Sequence, residues 1–309
     1  MALNTDLLTQ IFDAIRGRFT LAEIEELLTT DPQRLIYAIR ETAEQELSAR
    51  MVPEIEATII ASGNYNAIIE LLPNGAITAP YAFSLATSAT AQYISNYVAR
   101  HVAEISQNTA NAIQQTIQRH EQQSLNPRNT ARDIRRNIGL TVRQEQAVAN
   151  YRAMLESGDK EALKRKLRDA RFDGTVRRAI ETETSLTTAQ INRMVQRYRE
   201  RYIKYRSEVI ARTEQLTAVS VGQRQSMKQA RDNGVLSSRL RRFWEYMHDS
   251  RVRHWHASIP MLNPDGVAID EKFLTQPPAG AEYLDGPRDP DGSGANIIQC
   301  RCRERYKLI

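Results

Sequence analysis

A chain of 309 residues with 41% apolar, 26% charged and 6% aromatic residues is long enough to bury a core and leans to helix, which excludes an aromatic-rich β-sandwich and a disordered chain. No apolar run approaches the roughly 18 residues of a membrane span, and the start Met1-Ala2-Leu3-Asn4 lacks a signal peptide's basic and apolar segments, so synthesis in a cytoplasm and no membrane partner are expected. Net charge is +5 but unevenly placed: residues 1–125 carry 7 Arg and 14 Asp plus Glu, net −7, while the remainder is at +12, and 35 Arg against 7 Lys favour an anionic partner for that second part.

The first quarter reads as short helices with clear punctuation. Thr20 with Glu23 forms a capping box ahead of Ile24 and Leu28, and Asp31-Pro32 supplies an N-cap and a first-turn proline ahead of Leu35 and Ile39. Gly63 stops a helix and Asn64 caps the next, Pro73-Asn74-Gly75 is a turn, and Ala79-Pro80 is expected to open a long helix. Its apolar stripe, Ile94, Val98, Val102, Ile105, Ala112 and Thr116, recurs at three- and four-residue intervals to about Gln122. His101 lies beside that stripe and is expected to be structural.

Asn126-Pro127 interrupts the helical pattern where the charge changes sign, so a boundary is placed there. Thr141 with Gln144 caps a helix bearing Val148, Tyr151 and Leu155; Ser157-Gly158-Asp159 ends it and starts another expected over residues 160–172. Thr187 with Gln190 opens a second long helix running to about Arg231. Within it Arg193, Arg197, Arg201 and Lys204 recur at helical spacing beside Tyr198, Tyr202 and Tyr205. Such a face can lie along a duplex DNA backbone without reading sequence; it is equally a solvated face whose tyrosines cover neighbouring helices.

After Asn233 the pattern turns to short extended segments, with strands expected near residues 242–247, 267–269, 282–284 and 297–306. The expected fold is mainly α with a small α+β C-terminal domain and long helices in an elongated N-terminal and middle region. Its parts are an acidic helical region at 1–125, a basic helical region at 126–233, and a small domain at 234–309. Rare residues concentrate in this last part: both tryptophans and three of the five histidines lie in residues 244–256, and the only two cysteines in the segment Asn296-Ile297-Ile298-Gln299-Cys300-Arg301-Cys302.

Trp244, Asp249, Arg251, Arg253 and His256, the Asp289-Pro290 loop and the terminal Cys300-Arg301-Cys302 together resemble the signature of the Mu F-like minor head proteins of tailed bacteriophages. Ala211-Arg212-Thr213-Glu214 is similar to the family's helical segment, and the likeness runs from about residue 129 to 305. Gln299 departs from the family's usual asparagine, and His254 and Trp255 are unusual fillers. The resemblance implies a minor capsid component acting in head assembly inside the virion, with the portal or major capsid protein as partners and packaged or ejected DNA close by. It implies binding without catalysis.

The same residues carry two chemical readings. His248, Asp249, His254, His256, Cys300 and Cys302 are of types that bind zinc, and a Cys-x-Cys pair with His256, joined by His254 from the same side of a strand, is sufficient for a structural zinc. In the metal-free alternative, Asp249 accepts from Arg251 or Arg253 in a buried lock, His256 hydrogen-bonds near the cysteines, and Trp244 packs over them. A nuclease-like or toxin-like effector would use His248, Asp249 and His256 as acid, base and metal ligands. No diagnostic nuclease spacing, phosphate-binding glycine loop or Gly-x-Ser-x-Gly accompanies them.

Overall fold

The computed structural model describes residues 3–84, 88–123 and 126–309. In chain order they form α1 (Thr5–Gly17), α2 (Leu21–Thr30), α3 (Pro32–Arg50), α4 (Val52–Gly63), α5 (Tyr65–Ile69), α6 (Ser88–Gln122), α7 (Pro127–Asn137) and α8 (Val142–Glu156). Then follow α9 (Asp173–Glu181), α10 (Thr188–Asp232), β1 (Leu240–Glu245), α11 (His254–Leu262), β2 (Phe273–Thr275), β3 (Glu282–Leu284), α12 (Gly294–Ile297) and β4 (Arg303–Leu308). The protein is mainly helical, with its strands gathered in a small C-terminal region.

Helix ends follow local chemistry. Both expected capping boxes form, Thr20 with Glu23 and Thr141 with Gln144, and Thr187 exchanges the same pair of bonds with Gln190. Asp31 Oδ1 accepts from Arg34 N at 3.0 Å and Asn64 Oδ1 from Asn66 N at 2.9 Å. Each bond satisfies a backbone donor that the first helical turn leaves free.

The strand expected near 267–269 is reduced to a single bridge between Val267 and Arg242, and a strand forms at Phe273–Thr275 instead; three other expectations fail for identifiable reasons. The long helix expected from Ala79-Pro80 is present from Ser88, while residues 81–84 are non-helical. There Gln229 of α10 holds the Ser84 backbone from both sides, accepting from its N at 3.0 Å and donating to its O at 3.1 Å. Residues 160–172 form two 3-10 turns, Lys160–Lys164 and Ala170–Phe172, instead of one helix. Asp159 and Asp169 each cap a new turn, accepting from Glu161 N at 2.9 Å and Arg171 N at 3.2 Å. The strand expected at 297–306 divides into α12, a turn at Gln299 with φ 55°, and β4.

Contacts divide the chain into two compact units assembled from separated segments: one chiefly from Met51–Ala99 and Val209–Ile309, the other from Thr5–Arg50 and Arg100–Glu208. In the second, α1 and α3 bury Leu8, Ile11, Phe12, Ile15, Leu35, Ile39 and Leu47, spaced to share one face of each helix. Gly139, at φ 93°, passes so close to Phe12 that a Cβ there would stand 2.9 Å from its ring. Arg206 is buried against the same ring, 5.3 Å from its centroid, and donates to Ile105 O and Thr109 Oγ1, each at 3.2 Å. Its pKa is lowered to about 10 by burial.

In the unit that holds the C-terminus, α4 crosses α10 at Gly222, where a Cβ would overlap Ser62 Oγ and Ile59 O. Strand β1 pairs antiparallel with β4, from Leu240 opposite Leu308 to Glu245 opposite Arg303, and β2 pairs antiparallel with β3. Alternation turns Leu240, Arg242 and Trp244 inward. Two apolar clusters result: Ile68, Ala76, Met227, Leu240, Ile269 and Tyr306, and, nearer the cysteines, Trp244, Ile259, Val267, Phe273, Leu284, Cys300 and Cys302. The buried guanidinium of Arg242 is satisfied within this core: it donates to Ala268 O at 3.2 Å and to the carbonyls of Asp285 and Glu271, and pairs with Glu304 at 3.5 Å.

Candidate metal centre

His256, Cys300 and Cys302 are all buried, and one ligand atom from each lies within 4.8 Å of the others. His256 comes from the first turn of α11, whereas a strand was expected; the change of element separates it from His254, which is exposed on another face of the helix and does not join the cluster. The cysteines lie on the segment between α12 and β4. The left-handed turn at Gln299 directs that segment past His256, and Gln299 N donates to Thr213 Oγ1 of α10 at 3.2 Å.

Imidazole orientation follows from Asn296, which sequence reasoning did not select as a site residue. Asn296 Nδ2 donates to Glu282 Oε2 at 2.9 Å and Asn296 Oδ1 accepts from Trp255 Nε1 at 3.0 Å, so the amide can face only one way. The same Oδ1 faces His256 Nε2 at 3.1 Å and accepts its proton. In the neutral ring this leaves Nδ1 as the bare nitrogen, and Nδ1 faces Cys302 Sγ at 3.4 Å and Cys300 Sγ at 3.7 Å. Fixing one imidazole nitrogen as donor to present the other to a metal is the usual arrangement of ligating histidines.

Arg288 anchors the cysteine segment. Its backbone is left-handed at φ 60°, and its buried guanidinium donates to Cys300 O at 3.2 Å, Cys302 O at 2.5 Å and, on α10, Ser220 Oγ at 2.7 Å and Leu216 O at 3.1 Å. The two thiols titrate as a pair. A hydrogen bond from Cys302 lowers the Cys300 pKa, with the charge of Arg288 adding to the effect; the same bond and burial raise that of Cys302. Trp244 covers the cluster with its ring 5.5 Å from His256, and its indole N–H is directed at Cys302.

The remaining motif residues lie at the rim. Asp249 was expected to accept from Arg251 or Arg253 in a buried lock; its strong partner is Arg301, at 2.6 and 2.7 Å, and its side chain is 35% exposed. The bonds from Arg301 hold the Asp249 carboxyl well below its ordinary range. Arg251 is 71% exposed and only 3.5 Å from Asp249, while Arg253 donates to Ile298 O. Between these arginines and the cluster lies a crevice of about 20 Å³, lined in part by Arg251, Arg253, Arg301, His256 and Cys302. That is room for one water.

The donor set suits zinc. With Zn–S near 2.3 Å and Zn–N near 2.0 to 2.1 Å, tetrahedral geometry separates neighbouring N and S ligands by about 3.6 Å, and the Nδ1–Sγ distances of 3.4 and 3.7 Å straddle that value. They are also the distances of a thiol–imidazole hydrogen bond.

Arg193, Arg197, Arg201 and Lys204 lie exposed on α10, within the other unit. Arg197 pairs with Glu200 at 2.8 Å and Arg201 with Asp169 at 3.3 Å, whereas Tyr198 is buried against Tyr151. No family model matches the chain, and neither a curated protein nor a solved structure matches it.

Proposed function

We propose that this chain is a minor head protein of a tailed bacteriophage, similar to Mu F, that works by binding in the virion instead of by turnover. One observation carries the reading. Segments that resemble the family signature, spread from Thr213 to Cys302, converge on one buried centre: Thr213 caps the turn at Gln299, Trp244 covers His256, and Arg288 beside Asp289 grips both cysteine carbonyls. A signature whose parts tie distant segments of one unit together, with α10 joined to the cysteine segment through Thr213 and Arg288, is what a structural role requires. In this reading His256, Cys300 and Cys302 form a metal-free buried lock or hold a structural zinc, which would contribute directly to folding but needs a fourth ligand beyond these three. The portal or inner shell is the protein partner, and the exposed Arg193, Arg197, Arg201 and Lys204 meet duplex DNA through its phosphates. The test is the protein inventory of purified particles and assembling heads, with cross-linking: a few copies attached to portal or shell are expected, and absence from both overturns the reading.

A second reading rests on the water-sized crevice. Three protein ligands with space for a water is the pattern of catalytic zinc sites, and the rim of Arg251, Arg253 and Arg301 would favour an anionic substrate, as in a nuclease-like or toxin-like effector. Against it, Asp249 is held by Arg301 and the crevice is too small for a nucleotide. Zinc-, magnesium- or manganese-dependent cleavage of DNA or RNA by the full chain, lost in His256→Ala, would establish it over the first.

A further inference from the structure

A cavity of about 470 Å³ lies within the unit built from Thr5–Arg50 and Arg100–Glu208, among the end of α6, α7, α8 and the start of α10. Arg119, Arg132, Arg136, Arg152 and Arg199 line it against only two carboxylates, Asp133 and Glu156. Three of the arginines have acidic partners: Arg119 pairs with Glu145, Arg152 with Glu156 at 3.4 Å, and Arg199 with Asp133 at 3.3 Å. The other two do not. Among the described residues the Arg132 side chain reaches only Asn129 Oδ1, at 3.3 Å, and the Arg136 guanidinium makes no hydrogen bond or ion pair.

Arg132 and Arg136 are four apart on α7, a spacing at which like charges repel, and both border the same cavity. Solvent-facing arginines at this spacing carry little meaning; here they converge with three others, among them the buried Arg199, on one partly sheltered cavity, where charge interactions are screened less than on an open surface. We propose that this cavity binds an oligophosphate, a compound with two or three linked phosphate groups, whose oxygens take the forked donors of Arg132, Arg136 and Arg152. Guanidinium forks suit such oxygens, and the volume lies within the range of small-molecule sites. The cavity offers no aromatic ring for a base other than His120, so the phosphates carry the recognition. Burial lowers the Arg199 pKa to about 10, with Arg136 and Arg152 adding to that and Asp133 opposing it; an anion would relieve this crowding. The inference is independent of the zinc centre and of the DNA face, because Arg193, Arg197 and Arg201 do not line the cavity.

The test is titration of the full-length chain with sodium tripolyphosphate at low and moderate salt, followed by calorimetry and thermal unfolding. One tripolyphosphate per chain is expected, with a raised Tm and affinity that falls with salt. Arg136→Gln with Arg152→Gln should weaken it at least tenfold while the unliganded fold, read by circular dichroism, is retained. Arg193→Gln with Arg197→Gln should leave it unchanged. ATP that competes with tripolyphosphate would assign the ligand to nucleotides; failure to compete would assign it to inorganic or other oligophosphates. No binding at millimolar tripolyphosphate overturns the proposal, as does equal weakening in the two double variants.

Discussion

Asn296 Oδ1 accepts the Nε2 proton of His256 at 3.1 Å, and this bond decides which nitrogen faces the sulfurs of Cys300 and Cys302. Asn296→Ala should therefore weaken zinc binding about 10- to 100-fold, the usual effect of removing a ligand's supporting partner, and Asn296→Asp, which sets a buried carboxylate against Glu282 Oε2 where the amide donated, should weaken it too. Metal content and competition with a chromophoric chelator measure both. A chain that purifies without zinc and takes up none would identify the cluster as a metal-free thiol–imidazole lock.

Glu304 lies buried between two arginines, 3.5 Å from both Arg224 and Arg242, and accepts from Tyr306 Oη at 2.6 Å. Glu304→Ala leaves two buried guanidinium groups without their counter-charge and should destabilise this unit by about 3 to 5 kcal/mol. Trp244 and Trp255 both belong to the same unit, so denaturant unfolding followed by tryptophan fluorescence isolates it. A loss below about 1 kcal/mol would mean the carbonyls around Arg242 suffice.

Gly222→Ala tests the crossing of α4 and α10. The added methyl overlaps Ser62 Oγ, which can rotate, and Ile59 O, which belongs to the helix backbone and cannot. The helices must part, costing about 1 to 3 kcal/mol as in other overpacked sites. The same fluorescence transition reads it, and an unchanged midpoint would contradict the packing described.

Acid should weaken the other unit through Asp133. Burial pushes this carboxyl up, but the hydrogen bond from His120 and the charge of Arg199 outweigh it and hold the pKa at about 2. Because the folded value is below the unfolded one near 4, the stabilisation is complete above pH 4 and is lost as pH falls from about 4 to 2. A shift of roughly two units corresponds to about 2.5 kcal/mol. Hydrogen exchange across α7 at pH 5 and 2.5 should show that loss in the native protein and a smaller one in Asp133→Asn.

On α10, replacing Arg193, Arg197 and Arg201 with Gln should lower duplex DNA affinity equally for all sequences and reduce its salt dependence, since phosphate contacts release counterions. Arg197 and Arg201 already have acidic partners, so Arg193 should contribute most. Unchanged binding at low salt would assign these charges to intramolecular pairing.

Local rules made the helices legible. Capping at Thr20, Asp31, Asn64, Thr141 and Thr187 depends on atoms within three residues of each helix start, and the stripe from Ile94 to Thr116 depends only on helical periodicity; both can be read before any fold is known. The concentration of Trp244, His256, Cys300 and Cys302 was equally visible, because rarity is a property of sequence. Their geometry was not. His254 and His256 alternate as a strand would, yet Arg253 opens a helix there and sends His254 outward. Asp249 takes Arg301 in place of its sequence neighbours Arg251 and Arg253. Asn296, Arg288 and Glu304 act through partners 40 to 80 residues away, where side-chain type announces nothing. A buried polar group must be paired, but which partner pairs it is decided only when tertiary packing brings distant segments within hydrogen-bond reach.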